Sequence, residues 1–266
     1  MNLEIRVGLW YNLILDKYCA VPAALKGRIK KVMINIAVIG FGIVGSGVYE
    51  VINKNLPRIA MFTSGEGLNI KHILDLRTFP GHPLESAVTA DYNKILSDDS
   101  VRVIIETMGG TEPAFDYSMR ALRAGKHVVT SNKAVVEAHG RELIHTAKDN
   151  GVYYLYEASV GGGIPVISTL HSSFGSNTPG RVAGILNGTT NFILSKMKND
   201  GLAFDEALSL AKELGFAERD PSADVDGFDT ARKICILTAL CRGVYAGLGD
   251  CAVIEEIGRA SCRERV

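Results

Sequence analysis

Between Glu218 and Lys233 the chain reads ERDPSADVDGFDTARK, five carboxylates set around two arginines and one lysine just ahead of an apolar stretch. Asp220-Pro221-Ser222 is a turn signal and Asp226-Gly227 a second breaker. TARKICILTAL then has the pattern of a helix, which places Asp229 and Lys233 four residues apart on one helical face. An ammonium held beside a carboxylate can hand a proton to a substrate oxygen. The same spacing suits an exposed ion pair worth only ~0.3 to 0.5 kcal/mol, and these residues alone leave both readings open.

A second chemistry is written near the start. Gly40-Phe41-Gly42-Ile43-Val44-Gly45 directly follows the apolar, β-branched run INIAVIG and opens a helical pattern. That context suits a dinucleotide fingerprint: Gly40 for the tight turn, Gly42 for close approach of backbone to a pyrophosphate, Gly45 for helix-to-strand packing. A helix N-terminus adds free N–H groups for the phosphates. At the end of the next strand, HILDLR, an acid would accept from a ribose 2′-hydroxyl and an arginine would hold a 2′-phosphate. Asp75 and Arg77 are both there, so NAD and NADP stay equally open.

Two further strand ends, ETMGGT (Glu106 to Thr111) and TSNK (Thr130 to Lys133), lie where ligands bind in open parallel sheets. Gly109 and Gly110 let backbone come close to a ring. Lys133 either projects into the binding crevice or is simply a lysine at a helix start, where its charge opposes the helix dipole. EASVGGGIPVI, from Glu157 to Ile167, could converge carbonyls on a monovalent cation or merely turn tightly. Its residues by themselves favour the turn.

Alternating elements must position these groups: strand 34–39, helix 44–60, strand 70–76, a short helix at 92–97, strand 101–105, helix 113–124, strand 127–130, helix 134–149 and strand 152–156. Strand and helix in turn predict a parallel sheet with crossover helices. After Glu157 the texture becomes richer in Gly, Ser, Thr and Asn, which predicts a second domain mixing a helix with at least one strand. An amphipathic helix follows from Phe204 to Leu214, capped by Gly215.

With 266 residues, 47% of them hydrophobic, the chain can bury a substantial core. Lys+Arg and Asp+Glu both number 29, which gives no charge excess to attract nucleic acid or an anionic membrane surface. No apolar run approaches the ~20 residues that span a bilayer. The five cysteines make no CxxC pair and no zinc-ligand spacing, which fits a reduced, cytoplasmic setting. Cys235 and Cys241 read as small core residues.

Taken together, GFGIVGSGV, ETMGGTEPA, TSNKA, EASVGGGIP, GILNGTTNFIL and ERDPSADVDGFDTARK resemble the homoserine dehydrogenase family, from about Ile34 to Leu240. The resemblance implies an α/β fold: a Rossmann-type, doubly wound parallel sheet at 33–156 and an α+β catalytic and dimerisation domain at 157–255, incomplete at its C-terminus. It implies NAD(P)-dependent, reversible reduction of L-aspartate 4-semialdehyde to L-homoserine by a homodimer. By motif, Lys233 matches the proton donor and Glu218 the substrate-binding carboxylate. Asp224 and Asp229 match acids that orient the substrate and the lysine, and Lys133 matches the lysine near substrate and nicotinamide. Thr107, Gly109 and Ser131 join Gly40 to Gly45, Asp75, Arg77 and Lys133 as cofactor-binding positions. Glu157, Val160, Gly162 and Ile164 match a sodium site, which raises the cation reading of that loop.

No cysteine lies between Cys19 and Cys235, so the strand ends at 106–111 and 130–133 offer no thiol nucleophile for an acyl-phosphate-forming semialdehyde dehydrogenase. Residues 1–32 are expected to be an extension of doubtful nativeness. CRGVYAGLGDCAVIEE is expected to depart from the family. Glu256 to Val266 reads as translated sequencing adapter, is set aside from the fold, and implies a truncated chain lacking the return to the cofactor domain and any regulatory domain. A catalytically inactive nucleotide-binding fragment, or another NAD(P) oxidoreductase on the same scaffold, is the rival reading.

Overall fold

The computed structural model describes residues 33–63, 66–174, 177, 179–218, 220–254 and 259–262. The expectations for residues 1–32 lie outside these. The chain divides into two compact units, one ending at Val103 and one beginning at Ile104.

The first unit starts with β1 (Met33–Ile39), whose last four residues are buried. Helix α1 (Ile43–Phe62) and β2 (Gly67–Leu74) follow. β1 and β2 run parallel, and so do β2 and the short β3 (Val88–Thr89). Helix α2 (Tyr92–Leu96) is started by Asp91, whose side chain accepts from Asn93 N–H. Strands buried on both faces need uninterrupted apolar runs, which IAVI at 36–39 supplies. β3, with only two residues, is too short to leave a pattern in sequence.

In the second unit, β4 (Val101–Glu106, which begins just before the division), β5 (His127–Thr130) and β6 (Tyr154–Leu155) alternate with helices α3 (Ala114–Arg123) and α4 (Lys133–Asp149). The strand order is β3-β2-β1-β4-β5-β6. This is the doubly wound order of dinucleotide-binding sheets. α5 (Ile167–Ser173), α6 (Gly188–Asp200), α7 (Phe204–Glu213), α8 (Ser222–Val225) and α9 (Phe228–Arg242) complete the unit. α6 and α7 close over Ile193, Ala207, Ala211 and Ala217, with Phe192, Phe204 and Leu208 packed alongside. Gly215, at φ 76°, ends α7 as expected. α9 buries Ala231, Ile234, Cys235, Ile236, Leu237 and Cys241, so apolar residues cover most of its circumference. Cys235 and Cys241 are buried, with Cys235 Sγ 3.0 Å from Cys251 Sγ, and burial, with Glu137 and Asp250 nearby, pushes the Cys235 thiol up to about 11. Both are core residues.

Two expectations are corrected. Among the described residues, 157–200 contains helices and no strand: 181–187 carries no regular structure, because a strand needs a partner for its N–H and C=O groups. Residues 259–262, set aside as part of the tail, form β8 (Arg259–Cys262), antiparallel to β7 (Cys251–Ile254). Backbone pairing accommodates any side chain that tolerates an extended chain.

The tips of β1 and β2 are tied by one carboxylate. Asp75 accepts from Phe41 N–H at 2.9 Å, from Arg77 N–H at 2.9 Å, and from the Arg77 guanidinium at 2.9 and 2.8 Å. The Arg77 guanidinium holds the Asp75 carboxyl well below the usual carboxylate range, against the opposing effect of burial and with help from the two N–H groups. A carboxyl depressed on folding stabilises the protein above its unfolded value of about 4, and that contribution is lost as pH falls toward the folded value. Asp75→Asn is therefore expected to melt below the parent at neutral pH, with the gap closing as the pH drops below about 4. A gap independent of pH would contradict this account of the turn.

Candidate active site

The second unit gathers a lysine–carboxylate–lysine cluster from residues distant in sequence. Lys133 is the first residue of α4, where its ammonium opposes the helix dipole. The opposition is relieved by Asp229, to which Lys133 Nζ donates. Asp229 lies in the first turn of α9, where a carboxylate is favoured. Its second oxygen meets Lys233 Nζ at 2.7 Å, one helical turn on. The spacing read from sequence is thus realised as a buried pair, since the Asp229 side chain is 4% exposed and that of Lys233 14%. A surface ion pair would be far more open.

Lys233 Nζ also donates to the Leu186 carbonyl at 2.8 Å. These two partners leave one of its three N–H bonds for a substrate oxygen. Burial pushes the Asp229 carboxyl up, and hydrogen bonds from Lys133, Lys233 and Asn187 outweigh that and hold it below its ordinary value. Asp229 is therefore a fixed anion near neutral pH, and both lysines are oriented by it.

Asn187 joins this cluster without any sign of it in the sequence. Its Nδ2 donates to Asp224 Oδ1 at 2.7 Å and to Asp229 Oδ2 at 2.9 Å. Its Oδ1 accepts from Thr190 N–H at 2.8 Å, which caps α6. An Asn ahead of a helical run is a legible capping signal, but nothing local shows that the same amide bridges two aspartates more than thirty residues away. Glu218 is exposed between α7 and α8 and makes none of the hydrogen bonds of this cluster. A cavity of about 450 Å³ runs along a neighbouring face of α9, lined by Arg181, Leu186, Thr230, Ile234, Thr238 and Arg242. Lys133, Asp229 and Lys233 are not among its walls.

The first unit carries the glycine turn. Gly40 has φ 88°, a conformation that strains any side chain. Gly42 is the N-cap of α1 and offers no side-chain cap, and a Cβ built on it meets nothing within 4 Å. The backbone at the N-cap of this twenty-residue helix is therefore uncovered at Gly42, which fits close approach of a pyrophosphate to a helix N-terminus. Ile43 and Val44 are exposed and Gly45 is buried, as close helix packing requires. All four lone-pair positions of Asp75 are taken by Phe41 and Arg77. Arg77 Nη2 also donates to the Phe41 carbonyl at 3.0 Å, and its guanidinium lies over the Phe79 ring. Thr107, Gly109 and Ser131 occupy the loops after β4 and β5 in the second unit.

In the Glu157 loop, the carboxylate accepts from Ile167 N–H at 2.7 Å and from Ser168 N–H at 2.8 Å, so it caps α5. The Glu157 carbonyl accepts from Val160 and Gly161, and the Ile164 carbonyl from Val166. Gly162 lies between, next to Gly163 at φ 82°. Among the described residues no group of three or more His, Cys, Asp or Glu is placed to hold a metal ion, and no helix is long and apolar enough to cross a membrane.

Comparison with known proteins places this geometry. Residues 40–157 match the family model described as "Homoserine dehydrogenase, NAD binding domain", and residues 165–262 match the model described as "Homoserine dehydrogenase". The second match runs past Leu240, so residues 241–262, expected to depart from the family, lie within the matched region. The homoserine dehydrogenase of Synechocystis is 43% identical over 211 residues, covering 78% of this chain and 48% of that protein. A solved putative homoserine dehydrogenase from Archaeoglobus fulgidus is 35% identical, with a TM-score of 0.72 over 82% of this chain and 71% of that one. A hyperthermophilic archaeal homoserine dehydrogenase solved in complex with NADPH is 28% identical, with a TM-score of 0.70 over 80% of this chain and 71% of that one. The chain spans about half the length of the curated relatives it matches. With its glycine turn, its Lys133–Asp229–Lys233 cluster and these matches, the chain belongs to the homoserine dehydrogenase family.

Proposed function

We propose that this chain carries the NAD(P)-dependent, reversible reduction of L-aspartate 4-semialdehyde to L-homoserine, a cytoplasmic step of amino-acid biosynthesis run by a homodimer. The observation that carries the reading is Lys233, largely buried, held by Asp229 and the Leu186 carbonyl, with one N–H to spare. The nicotinamide, when bound, supplies hydride to the aldehyde carbon. Everything else falls to the protein's own side chains. Lys233 gives its proton to the aldehyde oxygen as negative charge grows there. Lys133 adds a second positive charge beside it. Asp229 keeps both ammonium groups aimed, and Asn187 keeps Asp229 from rotating. Glu218 and Asp224 hold the substrate ammonium. Gly40 to Gly45 seat the pyrophosphate, with Asp75 and Arg77 near the adenosine ribose, while Thr107, Gly109 and Ser131 border the nicotinamide. On this reading 33–156 is the cofactor half and 157–255 the catalytic half.

A sodium ion at Glu157, Val160, Gly162 and Ile164 belongs to the same reading. Its support is the run of glycines that lets carbonyls converge. Against it stands the Glu157 carboxylate, already engaged by two N–H groups. Exchanging sodium for tetramethylammonium at constant ionic strength should lower the melting temperature if the ion is bound, and an unchanged melt would remove it from the account.

Lys233→Ala is expected to cut turnover of aspartate 4-semialdehyde by roughly 100- to 10,000-fold, the usual worth of a placed general acid, while a fluorescence titration with NADPH stays unchanged. Parent-like turnover in the variant would assign the proton to another group. Cofactor binding without turnover in the parent chain would favour an inactive nucleotide-binding fragment.

A further inference from the structure

Glu106 is the one carboxylate with no exposed surface among the described buried residues. It ends β4, and among the described residues its hydrogen-bond partners are neutral: Thr130, Met108 and Asn132. Burial pushes its carboxyl up, while Thr130, Met108 and Asn132 oppose this with hydrogen bonds. Tyr154, itself buried, is the titratable group whose ionisation its charge opposes. A carboxylate buried among neutral donors costs stability that a shape-matched neutral side chain would spare. Its partners show what the charge achieves.

One carboxylate oxygen accepts from Met108 N–H at 2.7 Å, inside the loop that follows β4. The other accepts from the Thr130 hydroxyl at the end of β5. In the ionised form that oxygen can only accept, so the Thr130 proton points at it, and the Thr130 lone pair is left to receive Asn132 N–H at 2.9 Å. Asn132 then works in two directions. Its Nδ2 donates to the Gly110 carbonyl at 2.7 Å, and its Oδ1 caps α4 through Ala134 and Val135 N–H at 3.1 and 3.2 Å. The Glu106 carbonyl also accepts Ser131 N–H at 3.3 Å. Thr130 and Asn132 are 2% and 7% exposed, so water cannot easily stand in for either.

We propose that Glu106 is a positioning residue for the reaction: by dictating that Thr130 donates, it locks Asn132, and through Asn132 it fixes both the 107–110 loop and the first turn of α4, from which Lys133 projects. The role rests on the reading of Lys133 and that loop as substrate- and cofactor-facing. Glu106 touches neither Lys133 nor Asp229 and acts through a relay of fixed polarity. A glutamine offers one acceptor oxygen, so its NH2 group would face either the Thr130 hydroxyl or Met108 N–H, and the paired acceptance is lost. Thr130→Val breaks the same relay from the other side, whereas Thr130→Ser keeps it.

The test uses the full chain and two readouts, amide hydrogen exchange by mass spectrometry and steady-state kinetics with aspartate 4-semialdehyde and NADPH. Glu106→Gln and Thr130→Val are each expected to speed exchange in 107–111 and 130–136 together, leave α9 protected, and lower kcat by about 10- to 100-fold with the semialdehyde KM unchanged. The double variant should be no worse than the poorer single, and Thr130→Ser should behave as the parent. Parent-like exchange and kcat in Glu106→Gln would overturn the proposal, as would uniform loss of protection across the chain with Thr130→Ser equally impaired. A parent chain that turns over no semialdehyde would count against the proposed function instead, and the exchange readout would still decide whether Glu106 governs the two loops.

Discussion

One carboxylate shared by two ammonium groups sets the terms for the rest of the second unit. Two unit positive charges 4 Å apart repel by about 4 kcal/mol at the effective dielectric of a protein surface. Lys133 and Lys233 can therefore be held together only with an anion between them. Asp229 is that anion, with one oxygen for each lysine. The arrangement leaves one net positive charge at a half-buried spot, suited to an oxygen that gains negative charge. Removing Asp229 would leave two half-buried cations facing each other with no anion between them.

Meeting that constraint explains several local choices. Asp229 must sit at the start of a helix, and Gly227, at φ 82°, lets the chain turn into α9 directly before it. Lys233 must lie one turn on, which fixes the spacing in DTARK. Lys133 must reach from α4, and α4 is held at its first turn by Asn132. Asn187 supplies a further donor to Asp229 while capping α6, so three helix starts converge on one cluster. The apolar circumference of α9 then buries the cluster by packing the helix against α4, α5 and α8.

Much of this was written locally. The strand–glycine–helix run at 34–60 and the Asp229–Lys233 spacing follow from periodicity and breakers, and both stand in the structure. What sequence could not supply were partners at long separation. Lys133 could be flagged for its awkward place at a helix start, yet its counter-ion lies 96 residues away. Asn187 announced itself as a cap and nothing more. Asp75 and Arg77 each carried a ribose-binding expectation, but the structure pairs them with each other and with Phe41. The strand expected after Glu157 failed because GILNGTTNFIL has the right composition but no neighbouring strand among the described residues to pair with. β8 is not legible from the residue types at 259–262, because strand pairing depends on backbone.

The most direct measurement is a proton–nitrogen NMR spectrum of the lysine Nζ groups at neutral pH, in the parent chain and in Asp229→Asn. If Asp229 holds both ammonium groups, two lysine signals should be protected from exchange with water in the parent and both should vanish in the variant. Lysine signals that exchange freely in the parent, or that persist when the carboxylate is gone, would contradict the shared-carboxylate account.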